Sequence, residues 1–397
     1  MNESCSIAVS NPLCELARFG QSPWLDFIQR SFTENGSLKR LVDHDGLKGV
    51  TSNPAIFQKA MGEGSEYDTR IRQVLSERRV DAATLYEILA VEDIQAAARV
   101  LHPVYEASRR IDGYVSLEVA PHLAHDAIGT LAEARHLWKR VDRPNLMIKI
   151  PGTLEGVEAV RTAIADGMNV NVTLLFSLEA YKKALDAYMA GLEVRHAQGL
   201  PVSGIASVAS FFISRIDARI DAAIDARLAA ADPQAAALKN LRGKVAIANA
   251  RMAYQYWREV TQGARWRRLA ALGAQPQRLL WASTGTKDPA YSDVLYVDAL
   301  IGPETVNTIP PVTFAAFRDY GTVAPTLTQD IPGVERVLHE ADRLGLDLAG
   351  VTDALLHEGL AAFDAAFIAL RQSISMKISS MEKGNAFANL HEHSSGR

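Results

Sequence analysis

Eight short apolar or alternating runs, separated by longer stretches with helical spacing, restrict most strongly what this 397-residue chain can become. The runs lie at residues 23–27, 47–53, 114–119, 146–150, 170–176, 202–210, 278–283 and 305–309. Stretches such as 124–141 and 178–198 repeat apolar residues at the spacing of one helix face. Strand–helix alternation implies parallel strands joined by right-handed crossovers. Eight such units predict an α/β protein, a closed (β/α)8 barrel of the TIM type, with a doubly wound open sheet as the competitor. Residues 67–110 exceed a single crossover and are expected to hold two or three helices after the second strand. Residues 212–273 are expected to hold about two after the sixth. In 215–225, Ile216, Ile220 and Ile224 mark one apolar helix face, and Asp217, Asp221 and Asp225 beside them read as a solvated stripe. No linker divides the chain. We therefore expect a weakly ordered segment over 1–20, one barrel domain over 21–375 and a polar tail over 376–397, frayed from about Met381.

Composition excludes several classes. A net charge of −4 gives no general attraction to nucleic acid or anionic membrane. No apolar run reaches the ~18 residues of a membrane span, and the N-terminus lacks a secretory pattern. Both cysteines, Cys5 and Cys14, sit near the N-terminus, so a reducing cytoplasm is the expected compartment. The ten histidines show no zinc-type spacing, and no metal site is expected. Oligomeric state is left open between monomer and homodimer.

The strands become chemically specific at their polar faces. In a strand, successive side chains point to opposite faces. Leu146, Ile148 and Ile150 thus share one face, while Met147 and Lys149 share the other. A lysine in water is almost wholly ammonium, but one held among apolar groups can lose its proton and attack a carbonyl. The competing reading is an edge-strand lysine whose head snorkels to water. On the fifth run Asn171 and Thr173 oppose Val170, Val172 and Leu174. Glu118 opposes Leu117 and Val119, Asp26 opposes Leu25 and Phe27, and Thr51 and Asn53 share a face. A half-exposed antiparallel sheet would also alternate. Helices after every strand argue against it, and Asn and Asp are poor strand residues. Such local conflicts gather at functional sites, and in a barrel they point inward near the C-terminal strand ends. Asp26, Glu118, Lys149, Asn171 and Thr173 would then surround one cavity. Their types suit imine chemistry on a sugar: an amine, a carboxylate to take a hydroxyl proton, a second to activate water, and amides to hold hydroxyls.

Three longer motifs carry a family resemblance. GVTSNPAIF at 49–57 and LMIKIPGTLEG at 146–156 resemble the two signatures of the transaldolases, and NVNVTLLFS at 169–177 resembles their fifth-strand motif. The likeness spans roughly residues 20–375. WASTGTK at 281–287 is most similar to the long bacterial form, including the transaldolase part of fusions with phosphoglucose isomerase. The resemblance implies that Lys149 forms the imine with the ketose carbonyl and that Asp26 is the acid/base of carbon–carbon cleavage. It implies that Glu118 and Thr173 hold a catalytic water. Asn53 and Asn171 would bind substrate hydroxyls, Ser210 a further hydroxyl and Arg215 the phosphate, with Phe212 beside the substrate. The chain departs from the pattern at Phe211, where proline is common. It departs again after Ser283, where Thr284-Gly-Thr-Lys287 stands in place of a second phosphate arginine. Ser283 would keep its contact and Lys287 would supply the charge, as a point charge without arginine's fork.

The resemblance implies transfer of a dihydroxyacetone unit from sedoheptulose 7-phosphate to glyceraldehyde 3-phosphate in the non-oxidative pentose phosphate pathway. Small sugar phosphates would be the only partners, and no metal or organic cofactor would be needed. The rivals are a fructose 6-phosphate aldolase, a phosphosugar-binding scaffold without activity, and a pyridoxal phosphate enzyme that also uses an imine lysine.

Overall fold

The computed structural model describes the backbone of residues 11–394 and the side chains of residues 11–382. Eight parallel strands close into a barrel in sequence order: β1 (Gln21–Asp26), β2 (Gly49–Thr51), β3 (Tyr114–Glu118), β4 (Leu146–Pro151), β5 (Val170–Leu175), β6 (Ser207–Phe212), β7 (Arg278–Ala282) and β8 (Thr305–Ile309). β8 pairs back with β1, so the sheet has no edge. The outward faces are apolar because helices cover them. Ile148, Ile150, Val170 and Val172 are fully buried there. Helices start where the chain supplies side-chain caps. Thr153 Oγ1 accepts from Gly156 N at 2.9 Å, Ser177 Oγ accepts from Ala180 N at 3.1 Å, and Asp126 Oδ1 accepts from Gly129 N at 2.9 Å.

Inside the barrel, Trp24 lies across Gly49. A Cβ on Gly49 would sit 2.4 Å from the indole, so glycine is needed for close approach. At the N-terminal end Arg278 Nη2 donates to Asp112 Oδ1 at 2.8 Å, and its Nη1 donates to Ser22 Oγ at 3.0 Å. That closed floor leaves the C-terminal face as the open end.

Several expectations need correction. β6 begins at Ser207 rather than Val202, because Gly204 takes a left-handed turn at φ 82°. β2 is only three residues long, because Asn53 already caps the helix Pro54–Phe57. Residues 212–273 hold four helices rather than two: Ser214–Ala229, Ala235–Lys239, Val245–Gln262 and Ala264–Ala271. The expected solvated stripe is mostly interior. Asp217 and Asp221 are 1% and 5% exposed. Asp217 Oδ1 accepts from Ala246 N at 2.8 Å and its Oδ2 from Tyr296 Oη at 3.1 Å. Asp221 Oδ2 accepts from Tyr291 Oη at 2.7 Å, and only Asp225 is exposed, paired with Arg242. The segment after the first helix of this connection folds back over the stripe, which one helix's periodicity does not reveal.

Residues 12–19, expected to be weakly ordered, form a short helix and a 3-10 turn that bury Leu13 and Leu16. Cys14 is exposed; Cys5, with the rest of residues 1–10, lies outside the described residues. Residues 376–394, expected as a tail, continue the C-terminal helix Leu348–Ser394, and 395–397 lie outside the described residues. No helix among the described residues is long and apolar enough to cross a membrane.

Candidate active site

A cavity of about 180 Å³ opens at the C-terminal face of the barrel. Nine of the eleven residues singled out from the sequence line it: Asp26, Asn53, Lys149, Thr173, Ser210, Phe212, Arg215, Ser283 and Lys287. They come from the ends of six strands and the loops that follow, which only barrel closure brings together.

Glu118 and Asn171 lie behind the cavity wall. Register explains both placements, since Glu118 pairs with Lys149 across β3–β4 and Lys149 pairs with Asn171 across β4–β5. Lys149 Nζ donates to Glu118 Oε2 at 2.9 Å and to the Ser52 carbonyl at 3.1 Å. It also lies 5.4 Å from the centre of the Phe363 ring. The lysine is 4% exposed. The expected apolar surroundings are therefore corrected: the amine is buried as an ion pair. Asn171 is wholly buried, accepts from Ser210 Oγ at 2.7 Å and donates to Ser116 Oγ at 3.1 Å. It orients Ser210 and does not itself face the cavity.

Asp26 ends a relay of hydroxyls. Thr51 Oγ1 donates to Asp26 Oδ1 at 2.7 Å and lies 2.7 Å from Thr308 Oγ1. Thr51 has one proton, so Thr308 donates to Thr51. Burial raises the Asp26 carboxyl above the usual carboxylate range, against the pull of Lys149, the Thr51 hydrogen bond, Arg215 and Lys287. Burial likewise raises Glu118, with Lys149 opposing and Asp26 adding to the rise. Two carboxyls held in readily protonated states are a mark of acid/base sites. Asn53 spends its Oδ1 on the Ile56 N–H at 3.0 Å, which leaves its amide NH2 as the donor toward the cavity.

The cation end of the cavity is formed by Arg215 and Lys287. Arg215 stands over the Phe212 ring at 5.4 Å, and burial lowers its pKa against Asp26 and Glu358. Ser283, at φ 56°, is turned so that its Oγ meets Ser214 Oγ at 2.9 Å. Leu174 is also left-handed, at φ 58°, where the β5–β6 register slips between Val172 and Leu175. This bulge breaks the simple alternation expected of β5 and sets Leu174 against the C-terminal helix, 3.0 Å from where a Cβ on Gly359 would lie. Among the described residues no cluster of His, Cys, Asp and Glu is placed to hold a metal.

The chain matches the family model described as transaldolase/fructose-6-phosphate aldolase over residues 23–374. The chain belongs to that family. A protein named Transaldolase 2 from Nostoc punctiforme is 47% identical over 374 residues, covering 93% of this chain and 98% of the relative. A protein named Transaldolase from Parafrankia is 46% identical over 374 residues, covering 94% and 99%. Another of that name from Thermobifida fusca is 46% identical over 356 residues, covering 89% and 95%. Within this transaldolase/fructose-6-phosphate aldolase barrel, sequence reading missed the roof. Phe363 comes from the C-terminal helix and covers the cavity above Lys149. The spacing of Phe363 and Phe367, four apart on a helical pattern, was the available signal. The hydroxyl relay through Thr308 was also missed, although Thr308 follows the same inward alternation as Thr51.

Proposed function

We propose that this chain is a transaldolase that moves a dihydroxyacetone unit from sedoheptulose 7-phosphate to glyceraldehyde 3-phosphate. The products are erythrose 4-phosphate and fructose 6-phosphate, as in the non-oxidative pentose phosphate pathway. One observation carries the reading: a buried lysine paired at 2.9 Å with a carboxylate, in a cavity whose other end holds Arg215 and Lys287.

The ketose C2 carbonyl is attacked by Lys149 after its proton passes to Glu118. Loss of the carbinolamine oxygen as water leaves a protonated imine, which serves as the electron sink in place of any metal or organic cofactor. Asp26 then takes the C4 hydroxyl proton as the C3–C4 bond breaks, its electrons flow into the imine as an enamine, and the aldose leaves. The acceptor aldehyde enters, the enamine carbon attacks it, and Asp26 returns the proton. Hydrolysis of the new imine restores Lys149. Asn53, Ser210 and Ser283 hold hydroxyls, while Asn171 holds Ser210. Glu118 Oε1 and Thr173 Oγ1 have no protein partner, which suits the pair to holding a water.

Charge supports a phosphorylated substrate. Arg215 and Lys287 give the cavity two cations, while Lys149 and Glu118 balance each other and burial shifts Asp26 toward its neutral form. The surplus matches a phosphate dianion, and a confined cavity strengthens its effect.

Borohydride added with fructose 6-phosphate tests the reading. A covalent adduct should map to Lys149, and Lys149→Met should abolish both adduct and turnover. Turnover surviving intact in that variant would refute it. Release of free dihydroxyacetone without acceptor, at the rate of the transfer reaction, would mark a fructose 6-phosphate aldolase instead. Ligand binding without adduct would mark a scaffold, and a visible cofactor band a pyridoxal phosphate enzyme.

A further inference from the structure

Imine formation at Lys149 must expel a water while the sugar phosphate blocks the mouth under Arg215 and Lys287. Glu118, the partner of Lys149, does not line that mouth. It is 7% exposed and its Oε1 has no protein partner. Glu118 borders two other spaces. The first is a gap of about 10 Å³ among Asn53, Phe57, Tyr86, Glu118 and Phe367, close to the room that one water needs. Asn53 also belongs to the wall of the main cavity. The second is a chamber of about 230 Å³ on the outer side of β3, bordered by Tyr86, Glu118, Glu133 and Phe367. Thr84, His122 and Arg371 stand exposed at its rim. Tyr86, Glu118 and Phe367 border both spaces, so the two adjoin at these side chains, and together they mark a path between the helix Ala82–Ala107 and the C-terminal helix.

The chamber's contents follow from its walls. Glu87, Glu118 and Glu133 line it with carboxyls. Glu133 Oε2 accepts from Ala120 N at 2.9 Å, which fixes the carboxyl in place. Burial raises its pKa, so it can hold or pass a proton. Water, with two to four polar partners, fits such walls. Tyr86 meets Phe57 and Phe367 edge-on, at 5.8 and 5.4 Å between ring centres, and these rings narrow the path beside Glu118.

We propose that this chamber is a side passage for water and protons, narrowed by Tyr86 and Phe367, that serves the Lys149–Glu118 pair while substrate occupies the mouth. The proposal rests on the imine reading above. In the step it serves, the carbinolamine hydroxyl takes a proton from Glu118 and the C2–O bond breaks, its electron pair leaving with oxygen. The nitrogen lone pair forms C=N, and ketone plus ammonium become iminium plus water. The water leaves through the gap, and solvent restores any proton through the chamber. In the reverse direction one water enters for hydrolysis. A constriction that passes water singly also limits attack on the adduct between the two half-reactions.

Fructose 6-phosphate labelled with ¹⁸O at C2 tests this, with loss of label followed by mass spectrometry in the absence of acceptor. Ala83→Phe places a ring in the chamber from a half-buried wall position, and Phe367→Leu widens the constriction. The expected results are at least five-fold slower exchange in Ala83→Phe with KM unchanged, and faster exchange in Phe367→Leu. Exchange at the wild-type rate in both, with melting temperatures unchanged, would overturn the passage. If Ala83→Phe does not fold, Phe367→Leu decides alone: faster exchange supports the passage and an unchanged rate overturns it. Failure of the wild-type chain to give a borohydride-trapped adduct would overturn the imine reading instead.

Discussion

Replacing Asp217 by asparagine should make the protein more stable at alkaline pH and leave it nearly unchanged in acid. Asp217 sits 1% exposed at the start of the helix that carries Arg215. Burial lifts its carboxyl from 3.8 to about 7, with the nearby Asp221 adding to the rise, while hydrogen bonds from Ala246 and Tyr296 oppose it. The folded-state value lies above the unfolded one, so the folded state binds the proton more tightly. The resulting stabilisation is fully present below pH 3.8 and is lost as pH rises to about 7. A rise of about three pH units corresponds to about 4 kcal/mol, a large part of an ordinary folding stability of roughly 5–15 kcal/mol.

Asparagine is nearly isosteric and keeps both contacts, accepting from Ala246 N and donating to Tyr296 Oη, while removing the ionisation. Asp217→Asn should therefore exceed the wild type by about 4 kcal/mol at pH 8, by about 1 kcal/mol at pH 4.5, and by nothing well below pH 3.8. With an unfolding entropy of about 2.1 cal/mol/K per residue, the pH 8 gain amounts to about 5 °C in Tm for a chain of this length. Thermal melts of both proteins from pH 4.5 to 8.5 measure it. A difference independent of pH, or a variant less stable at pH 8, would refute the argument.

Other outcomes follow from the site. Because the Asp26 carboxyl is raised by burial and must be ionised to accept the C4 proton, kcat/KM should fall on the acid side at a pH above the usual carboxylate range; Asp26→Asn should cut kcat about 10²–10⁴-fold and remove that limb. Arg215→Ala should raise KM for fructose 6-phosphate roughly 10–100-fold through loss of charge-assisted hydrogen bonds, with a much smaller effect on an unphosphorylated ketose. Lys287→Ala should raise the same KM, and an unchanged value would remove its phosphate role. Gly49→Ala should destabilise the barrel by about 1–3 kcal/mol in chemical denaturation, because the new methyl meets the Trp24 ring.

Legibility in the sequence tracked how local each constraint was. β3, β4 and β8 were readable because two-residue alternation and the turns beside them are local properties. β6 was displaced because Val202 and Ile205 continue an apolar pattern across Gly204, whose left-handed turn excludes them from the strand. The C-terminal strand ends announced the site, since Asp26, Glu118, Lys149 and Asn171 violate strand preference, the last three at one height in the register. What covers a face was not readable. Asp217 and Asp221 repeat with helical spacing whether solvent or another helix lies against them. Phe363 reaches the cavity from more than 200 residues beyond Lys149, through a helix whose docking no short window encodes. The bulge at Leu174 was hidden for a related reason, since one extra residue leaves the alternating pattern of β5 intact in sequence while changing its pairing with β6.

The ion pair at Lys149 also changes the logic of activation. An amine isolated among apolar groups would become nucleophilic by desolvation alone, and the proton lost would leave the site. Here the proton acceptor is built in at 2.9 Å, and burial holds Glu118 where it readily keeps a proton. Burying a hydrogen-bonded ion pair costs far less than burying a lone cation. Transfer of one proton across the pair makes the free amine and a neutral acid together. The carbinolamine hydroxyl needs that same proton to leave as water, so addition and dehydration conserve the proton inside the site. Asp26 stands on the far side of the relay from Thr308 and Thr51 and serves the carbon–carbon step with a second, separate proton. Two carboxyls raised by burial but held by different partners thus divide imine chemistry from aldol chemistry. Substituting one should leave the other step measurable: Asp26→Asn should still form a borohydride-trapped adduct while cleavage stalls.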